Sequence, residues 1–192
     1  MTGLIEISKS KLRRKLLMHF FTNTDSSLYV REIASILSED AGNVSKELNR
    51  LKDANIFVSF LRGNQKYFSI NKKGPLYSEL RSIIFKTIGV EGALRELIAK
   101  TKGVIFCFIY GSFAGNKENS ASDIDLLIVG SPDEDELLQK IEALEKKLQR
   151  EINYNIYPND EFLTRIKKRD SFITNILKRP KIILKGSINE IR

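Results

Sequence analysis

The segment from Val104 to Gly130, VIFCFIYGSFAGNKENSASDIDLLIVG, constrains this chain more than any other. One apolar run rich in β-branched and aromatic residues ends at Gly111-Ser112, and a second opens at Asp123-Ile124-Asp125. Both read as buried strands. Side chains two apart in a strand leave the same face, so Asp123 and Asp125 emerge together while Ile124 turns into the core. Two carboxylates held that close repel each other unless a cation lies between them or one takes up a proton. Mg²⁺, a hard ion that leans on one or two carboxylates plus substrate phosphates, suits the pair. Gly111 lets the backbone approach a ligand closely, and Ser112 with nearby amide N–H groups can hold phosphate oxygens. The segment predicts a site for a metal–nucleotide complex.

Gly-Ser, a spacer of this length and Asp-x-Asp at a strand start resemble the nucleotidyltransferase superfamily typified by DNA polymerase β, most closely its minimal members. Ser112-Phe113-Ala114 with Gly115, and the run from Ser122 to Val129, match the flavour of that minimal group. The resemblance covers roughly Glu91 onward. It implies an α/β nucleotidyltransferase-like domain with a small mixed sheet, and Mg²⁺ with a nucleoside triphosphate as its ligand. It further implies that Gly111, Ser112 and Ser122 bind nucleotide, and that Asp123 and Asp125 bind metal and serve as catalytic residues in an active enzyme.

Members that transfer nucleotides use a third carboxylate on a later strand. The candidate strand is Ile152 to Tyr157, INYNIY, where alternation puts Ile152, Tyr154 and Ile156 on one face and Asn153 and Asn155 on the other. Amides therefore stand where the resemblance leads us to expect an acid. An amide oxygen can coordinate a metal, but it brings no negative charge and cannot act as a general base at neutral pH. Glu151, Asp160 and Glu161 are the neighbouring acids that can substitute. Binding is better supported than turnover, and the enzymatic reading stays open.

Charge divides the chain unevenly. The net charge is +8, and residues 1–90 hold 15 Lys/Arg against 8 Asp/Glu while residues 91–192 hold 17 against 16. The excess in the first half attracts a nucleic-acid partner. The single cysteine, Cys107, lies inside an apolar run and reads as a buried small hydrophobe; with one histidine, His19, it argues against a Cys/His zinc site. His19 itself reads as a packing or surface residue. No apolar stretch approaches membrane-spanning length and no signal peptide is evident, so a cytoplasmic protein with no membrane partner is expected.

The first half reads as a DNA-binding module. Ser8 or Ser10 caps a first helix carrying Leu12, Leu16, Leu17 and Phe20 on one face, and Thr22 to Ser27 breaks it. A second helix from about Arg31 turns Ile33, Ile36 and Leu37 inward, and Ser38-Glu39-Asp40 leads to a third helix over about Ala41 to Asp53. There Val44, Leu48 and Leu51 commit one face to the core. The other face presents Asn43, Ser45, Lys46, Asn49 and Arg50, which reach base edges and phosphates in a helix-turn-helix. A hairpin follows, with Ile56, Val58 and Phe60 alternating, a turn at Arg62-Gly63-Asn64-Gln65, and a return over Lys66 to Ile70. Gly63 and Asn64 are the residues there that tolerate positive φ.

The pattern from Lys9 to Ile70 resembles the winged helix-turn-helix of bacterial and archaeal transcription regulators, among them the arsenic-repressor-like groups. That resemblance implies wing contacts to phosphate from Arg62 and Lys66, double-stranded DNA as partner, and a homodimer. The expected architecture is α+β with two domains: a winged helix-turn-helix over 1–74, a linker helix over 75–90, and the nucleotidyltransferase-like domain over 91–192. Gly89 and Gly92 bracket that last boundary ahead of a helix holding Leu94, Leu97 and Ile98. Ser131-Pro132-Asp133-Glu134 reads as an N-cap with proline at the first helical position, followed by a helix to about Arg150. A final strand is expected near Lys181 to Leu184.

Three functions fit. One is a transcriptional regulator whose second domain binds Mg²⁺·NTP as a sensor or retained fold. The second is an active Mg²⁺-dependent nucleotidyltransferase modifying a protein or small molecule, with the winged helix for targeting or autoregulation. The third makes the winged helix a protein-interaction platform.

Overall fold

The computed structural model describes residues 10–115 and 122–187. Ser8, one of the two expected helix caps, lies outside the described residues. The chain divides into two compact units, Met1–Val90 and Glu91–Arg192.

In the first unit, α1 (Lys11–Thr22) starts at Ser10, whose hydroxyl accepts from the Arg13 N–H at 3.3 Å. It ends where the Asn23 amide groups, backbone and side chain, both donate to the His19 carbonyl. After β1 (Leu28–Tyr29) comes α2 (Val30–Leu37), where the Glu32 carboxylate accepts from the Tyr29 N–H at 2.9 Å. That bond satisfies a donor the first turn would leave orphaned. Ser38 in the left-handed region (φ 52°) stops α2, and Asp40 caps α3 (Ala41–Asp53) by accepting from Asn43 N–H. β2 (Phe57–Arg62) and β3 (Gln65–Ile70) form an antiparallel hairpin, and β1 pairs with the far side of β3, giving the order β1-β3-β2. α4 (Tyr77–Thr87) closes the unit, packing Leu80 and Ile84 into the same core.

That core joins Leu16, Phe20, Ile33, Val44, Leu48, Phe57 and Phe68, with Phe20 meeting Phe57 edge-on at 4.8 Å. Its composition corrects two sequence expectations. The hairpin sends Phe57 inward, while Val58 and Phe60 lie outside at 41% and 47% exposure, so the buried set is shifted by one residue. A strand of period two gives no phase when both sets are apolar, as in IFVSFL. On α2 the buried pair is Ile33 and Ala34, and Ile36 is 39% exposed. At the hairpin tip the left-handed conformation falls on Gly63 (φ 59°) and not on Asn64, placing glycine at the first central position of a two-residue turn.

In the second unit, α5 (Val90–Ala99, whose first residue is the last of the first unit) leads into β4 (Val104–Tyr110), the short α6 (Gly111–Ala114), β5 (Ile124–Gly130), α7 (Glu134–Leu148) and β6 (Ile152–Tyr157). Then follow α8 (Asn159–Lys167), α9 (Ser171–Lys178) and β7 (Ile182–Lys185). Gly92 sits inside α5 rather than ahead of it. The α7 cap is Asp133, whose carboxylate accepts from the Glu136 N–H at 2.9 Å, so the expected cap at Ser131 moves by two residues and Pro132 precedes the helix.

The four strands form one mixed sheet in the order β6-β5-β4-β7. β4 runs antiparallel to both β5 and β7, and β5 runs parallel to β6, the pairing that requires α7 as a crossover. On one face Phe106, Phe108, Leu127 and Val129 pack with Phe162 of α8 and Ile173 and Ile176 of α9. The alternate side chains Cys107, Ile109, Leu126 and Ile128 are fully buried as well, so the middle strands are covered on both faces. This explains why they read as unbroken apolar runs.

Candidate functional site

The strand register assembles the site. Asp125 is the direct partner of Tyr110 on β4 and of Asn153 on β6, so the three form one row across the sheet. Ile124 between the acids is fully buried, as its position requires. Asp123 is exposed just ahead of β5, and Asp125 is half-buried within its first turn of pleat. Burial first, and then the negative charge of Asp123, pushes the Asp125 carboxyl above its usual range. The two acids feel one another, which is the condition that a bound cation relieves.

Gly111 opens α6 at φ 74°, and a Cβ placed there would overlap Oδ2 of Asp125. Only glycine lets the turn and the acid share this space. Ser112 stands next on α6, half-buried. Ser122 is held from the far side: its carbonyl accepts from Arg150 Nη1 at 2.9 Å. The same buried guanidinium lies over the Phe113 ring, 5.7 Å from its centroid. Arg150, just beyond α7, thus ties the Gly-Ser side of the motif to the approach to the acid pair. The sequence reading missed it, because nothing local marks a lysine- and arginine-rich helix end as buried.

The two asparagines occupy different places. Asn153 is exposed and its amide approaches Asp123 Oδ2 at 3.4 Å. Asn155 donates to the Tyr110 hydroxyl at 3.2 Å. Burial, followed by the Asp125 charge, raises the Tyr110 phenol above its usual range, so it is neutral beside the acids. Phe172 at the start of α9 meets the Tyr110 ring edge-on at 6.0 Å and is itself exposed. Tyr110 and Phe172 were not singled out from the sequence. Among the described residues no group of three or more His, Cys, Asp or Glu side chains is placed to hold a metal. The donor set in this row is two carboxylates with an amide opposite.

In the first unit, Asn43, Lys46 and Arg50 are exposed on α3, and Ser45 and Asn49 are half-buried. Lys66 donates to Asn49 Oδ1 at 3.0 Å, joining the hairpin to α3. Arg50 lies 3.4 Å from Glu47, a buried carboxylate that also pairs with Arg13 of α1. Arg62 is exposed at the hairpin tip, opposite Gln65. Five of these seven side chains are thus solvent-facing, and two are tied to each other's neighbourhood by a hydrogen bond.

The family described as "Polymerase beta, Nucleotidyltransferase" matches residues 93–188. Among solved structures, the chain is similar to one titled "Crystal structure of the toxin-antitoxin with AMP-PNP", at 12% identity and a TM-score of 0.38, over 53% of this chain and 77% of that one. It is also similar to MepR, a transcription regulator of the Staphylococcus aureus multidrug efflux pump MepA, at 15% identity and a TM-score of 0.37, over 50% and 67%. No curated protein matches.

Proposed function

This chain belongs to the polymerase beta nucleotidyltransferase family through its second unit, and from that premise we propose that it is a DNA-binding transcriptional regulator whose nucleotidyltransferase domain binds Mg²⁺·NTP. The observation that carries the nucleotide half is the close approach of Gly111 to the Asp125 carboxylate, so close that a Cβ on Gly111 would overlap Oδ2; the Gly-Ser turn thus adjoins the acid. Asp123 and Asp125 would hold the metal, and Ser112 and Ser122 would face the phosphate chain. Bound there, Mg²⁺ would supply charge neutralisation for the triphosphate. The residues fit that ion, since two coupled carboxylates, one of them already destabilised in its charged form, gain most from a cation.

The DNA half is read from the first unit. A helix presenting Asn43, Ser45, Lys46, Asn49 and Arg50, followed by a hairpin with Arg62 and Lys66, supports the reading of a winged helix-turn-helix, in which the helix would enter the major groove and the wing would touch phosphate. The basic excess of residues 1–90 supports a polyanion partner. We read the protein as a cytoplasmic homodimer, because paired half-sites match two-fold proteins. Among the described residues no helix is long and apolar enough to cross a membrane.

Calorimetric titration with ATP and GTP in Mg²⁺, alongside Asp123→Asn, tests the nucleotide half: metal-dependent binding is expected and is lost in the variant. Absence of binding in both proteins would reject it. For the DNA half, Lys46→Ala and Arg50→Ala are expected to weaken salt-sensitive duplex binding. A helix serving only as a protein platform would leave those measurements flat.

The second reading is an active nucleotidyltransferase, favoured by the intact Asp123–Asp125 pair. It predicts transfer of label from an NTP to an acceptor, abolished by Asp123→Asn, whereas the regulator reading keeps most DNA affinity in that variant.

A further inference from the structure

The hairpin sheet of the first unit has an outer face whose aromatic row the readings above leave unused. Direct pairing of Tyr29 with Tyr67 and of Tyr67 with Phe60 puts three rings in one row across β1, β3 and β2. Phe60 and Tyr67 lie nearly parallel (14°) with centroids 5.8 Å apart, and Tyr29 meets Tyr67 at 5.8 Å edge-on. Alternation puts Val58 and Arg62 on this same face, flanking Phe60 along β2. The core side of the sheet carries Phe57, Phe68 and Ile70, so these rings are not needed to fill the interior.

Charge selects the occupant. The three strands contain no Asp or Glu, and the charged strand residue on this outer face is Arg62; Lys66 has the core-side parity of Phe68, lies over its ring and donates to Asn49 of α3. With Arg62 on a face free of strand carboxylates, and the excess of basic residues over 1–90 around it, this face favours a polyanion. Aromatic rings beside a cation add stacking to charge, which unpaired bases use and duplex DNA, with its bases already stacked, does not. We propose that this outer face binds single-stranded nucleic acid, Phe60 and Tyr67 stacking unpaired bases while Arg62 meets the backbone phosphate. Arg62 is shared with the wing contact of the duplex reading, but Phe60 and Tyr67 lie on the sheet face opposite Lys66 and its α3 partner Asn49, and the proposal does not rest on the duplex-binding or nucleotide readings.

The test is fluorescence anisotropy of the full chain with a labelled single-stranded oligonucleotide of about a dozen bases, as DNA and as RNA, beside the same sequence as a duplex. Phe60→Ala and Tyr67→Ala are each expected to weaken single-strand binding about tenfold. Phe60→Tyr, which keeps a stacking ring, is expected to restore it. Lys46→Ala is expected to leave single-strand binding near the unsubstituted value, so failure of the duplex reading and failure of this one are distinct. Thermal melting checks that the variants are folded. Single-strand binding that is absent, or unchanged in folded Phe60→Ala and Tyr67→Ala, overturns the proposal. So does concentration-dependent self-association in sedimentation that Phe60→Ala removes, which would make the face a contact between copies.

Discussion

Asn153 stands directly opposite Asp125 on the neighbouring parallel strand, and its side-chain amide approaches the other acid, Asp123, at 3.4 Å. An acid at this position would face both carboxylates. Asn153→Asp is therefore expected to lower the melting temperature without metal, because three carboxylates would repel, and to tighten Mg²⁺ and Mn²⁺ binding in calorimetry. Asn155→Asp, whose native amide is engaged with the Tyr110 hydroxyl, is expected to change metal affinity less. Equal metal affinity in Asn153→Asp and the unsubstituted protein would show that this position is not where a third ligand belongs.

Asp125 should oppose folding when no cation is bound. Its carboxyl is pushed up by burial and by Asp123, so the folded chain keeps this proton to higher pH than the unfolded chain does. Over that window the folded state binds more protons, and stability falls as pH rises through it. Asp125→Asn is expected to raise the metal-free melting temperature at neutral pH. The gain should fade as pH drops to the ordinary carboxylate range, about 4. Melting curves across pH, with and without Mg²⁺, check both the sign and the loss of metal response.

The lone histidine offers a second titration. His19 is buried in α1, and neither ring nitrogen finds a hydrogen-bond partner among the described residues. Burial lowers its pKa to about 4. The unfolded chain takes up this proton near pH 6.5 and the folded chain does not, so stability is full above that pH and declines as pH falls toward 4. With one histidine in the chain, a single imidazole resonance in the NMR spectrum reports the pKa directly. Titration near 6.5 in the folded protein would contradict the burial.

Two glycines with positive φ should respond differently to alanine. Gly63 at the hairpin tip has open space around the missing Cβ, so Gly63→Ala costs only the left-handed backbone, about 1 kcal/mol. Gly111→Ala carries the same backbone cost and also displaces the Asp125 carboxylate. Urea unfolding should show a larger loss for Gly111→Ala, and calorimetry a loss of nucleotide binding confined to it.

Cys107 is fully buried on β4, and burial pushes its thiol up to about 12. The thiolate is the reactive form. The native protein is therefore expected to leave an aromatic disulfide reagent unreacted at neutral pH, and the urea-unfolded chain to consume one equivalent. Rapid labelling under native conditions would show that β4 is accessible.

The elements most legible in the sequence were those whose signal is local. Helical spacing of Val44, Leu48 and Leu51 located α3, and the two apolar runs located β4 and β5, because those strands are buried on both faces. The hairpin's phase was not legible, since Ile56, Phe57, Val58 and Phe60 are apolar on both parities and only packing against Phe20 selects Phe57. Asp133 replaced Ser131 as cap because both are good caps and the chain from Gly103 to Ser131 fixes the entry to α7 through a backbone bond. At the site, Gly111, Asp123 and Asp125 are recognisable from residue type and spacing. Tyr110, Phe172 and Arg150 are not, because each takes its place from partners 28 to 62 residues away in the chain.

β7 gives the sheet a particular order of completion. β4, the strand that delivers Gly111, has β5 on one side and β7 on the other, and β7 ends only at Lys185. A nascent chain emerging from the ribosome could complete the hairpin and helices of the first unit early. The strand carrying the Gly-Ser turn, by contrast, would keep one edge unpaired until Ile182–Lys185, more than 70 residues further along, had been made. Such an edge invites pairing with other chains. Translation that stalls or terminates before Ile182 should therefore yield an aggregation-prone product rather than a shorter working domain.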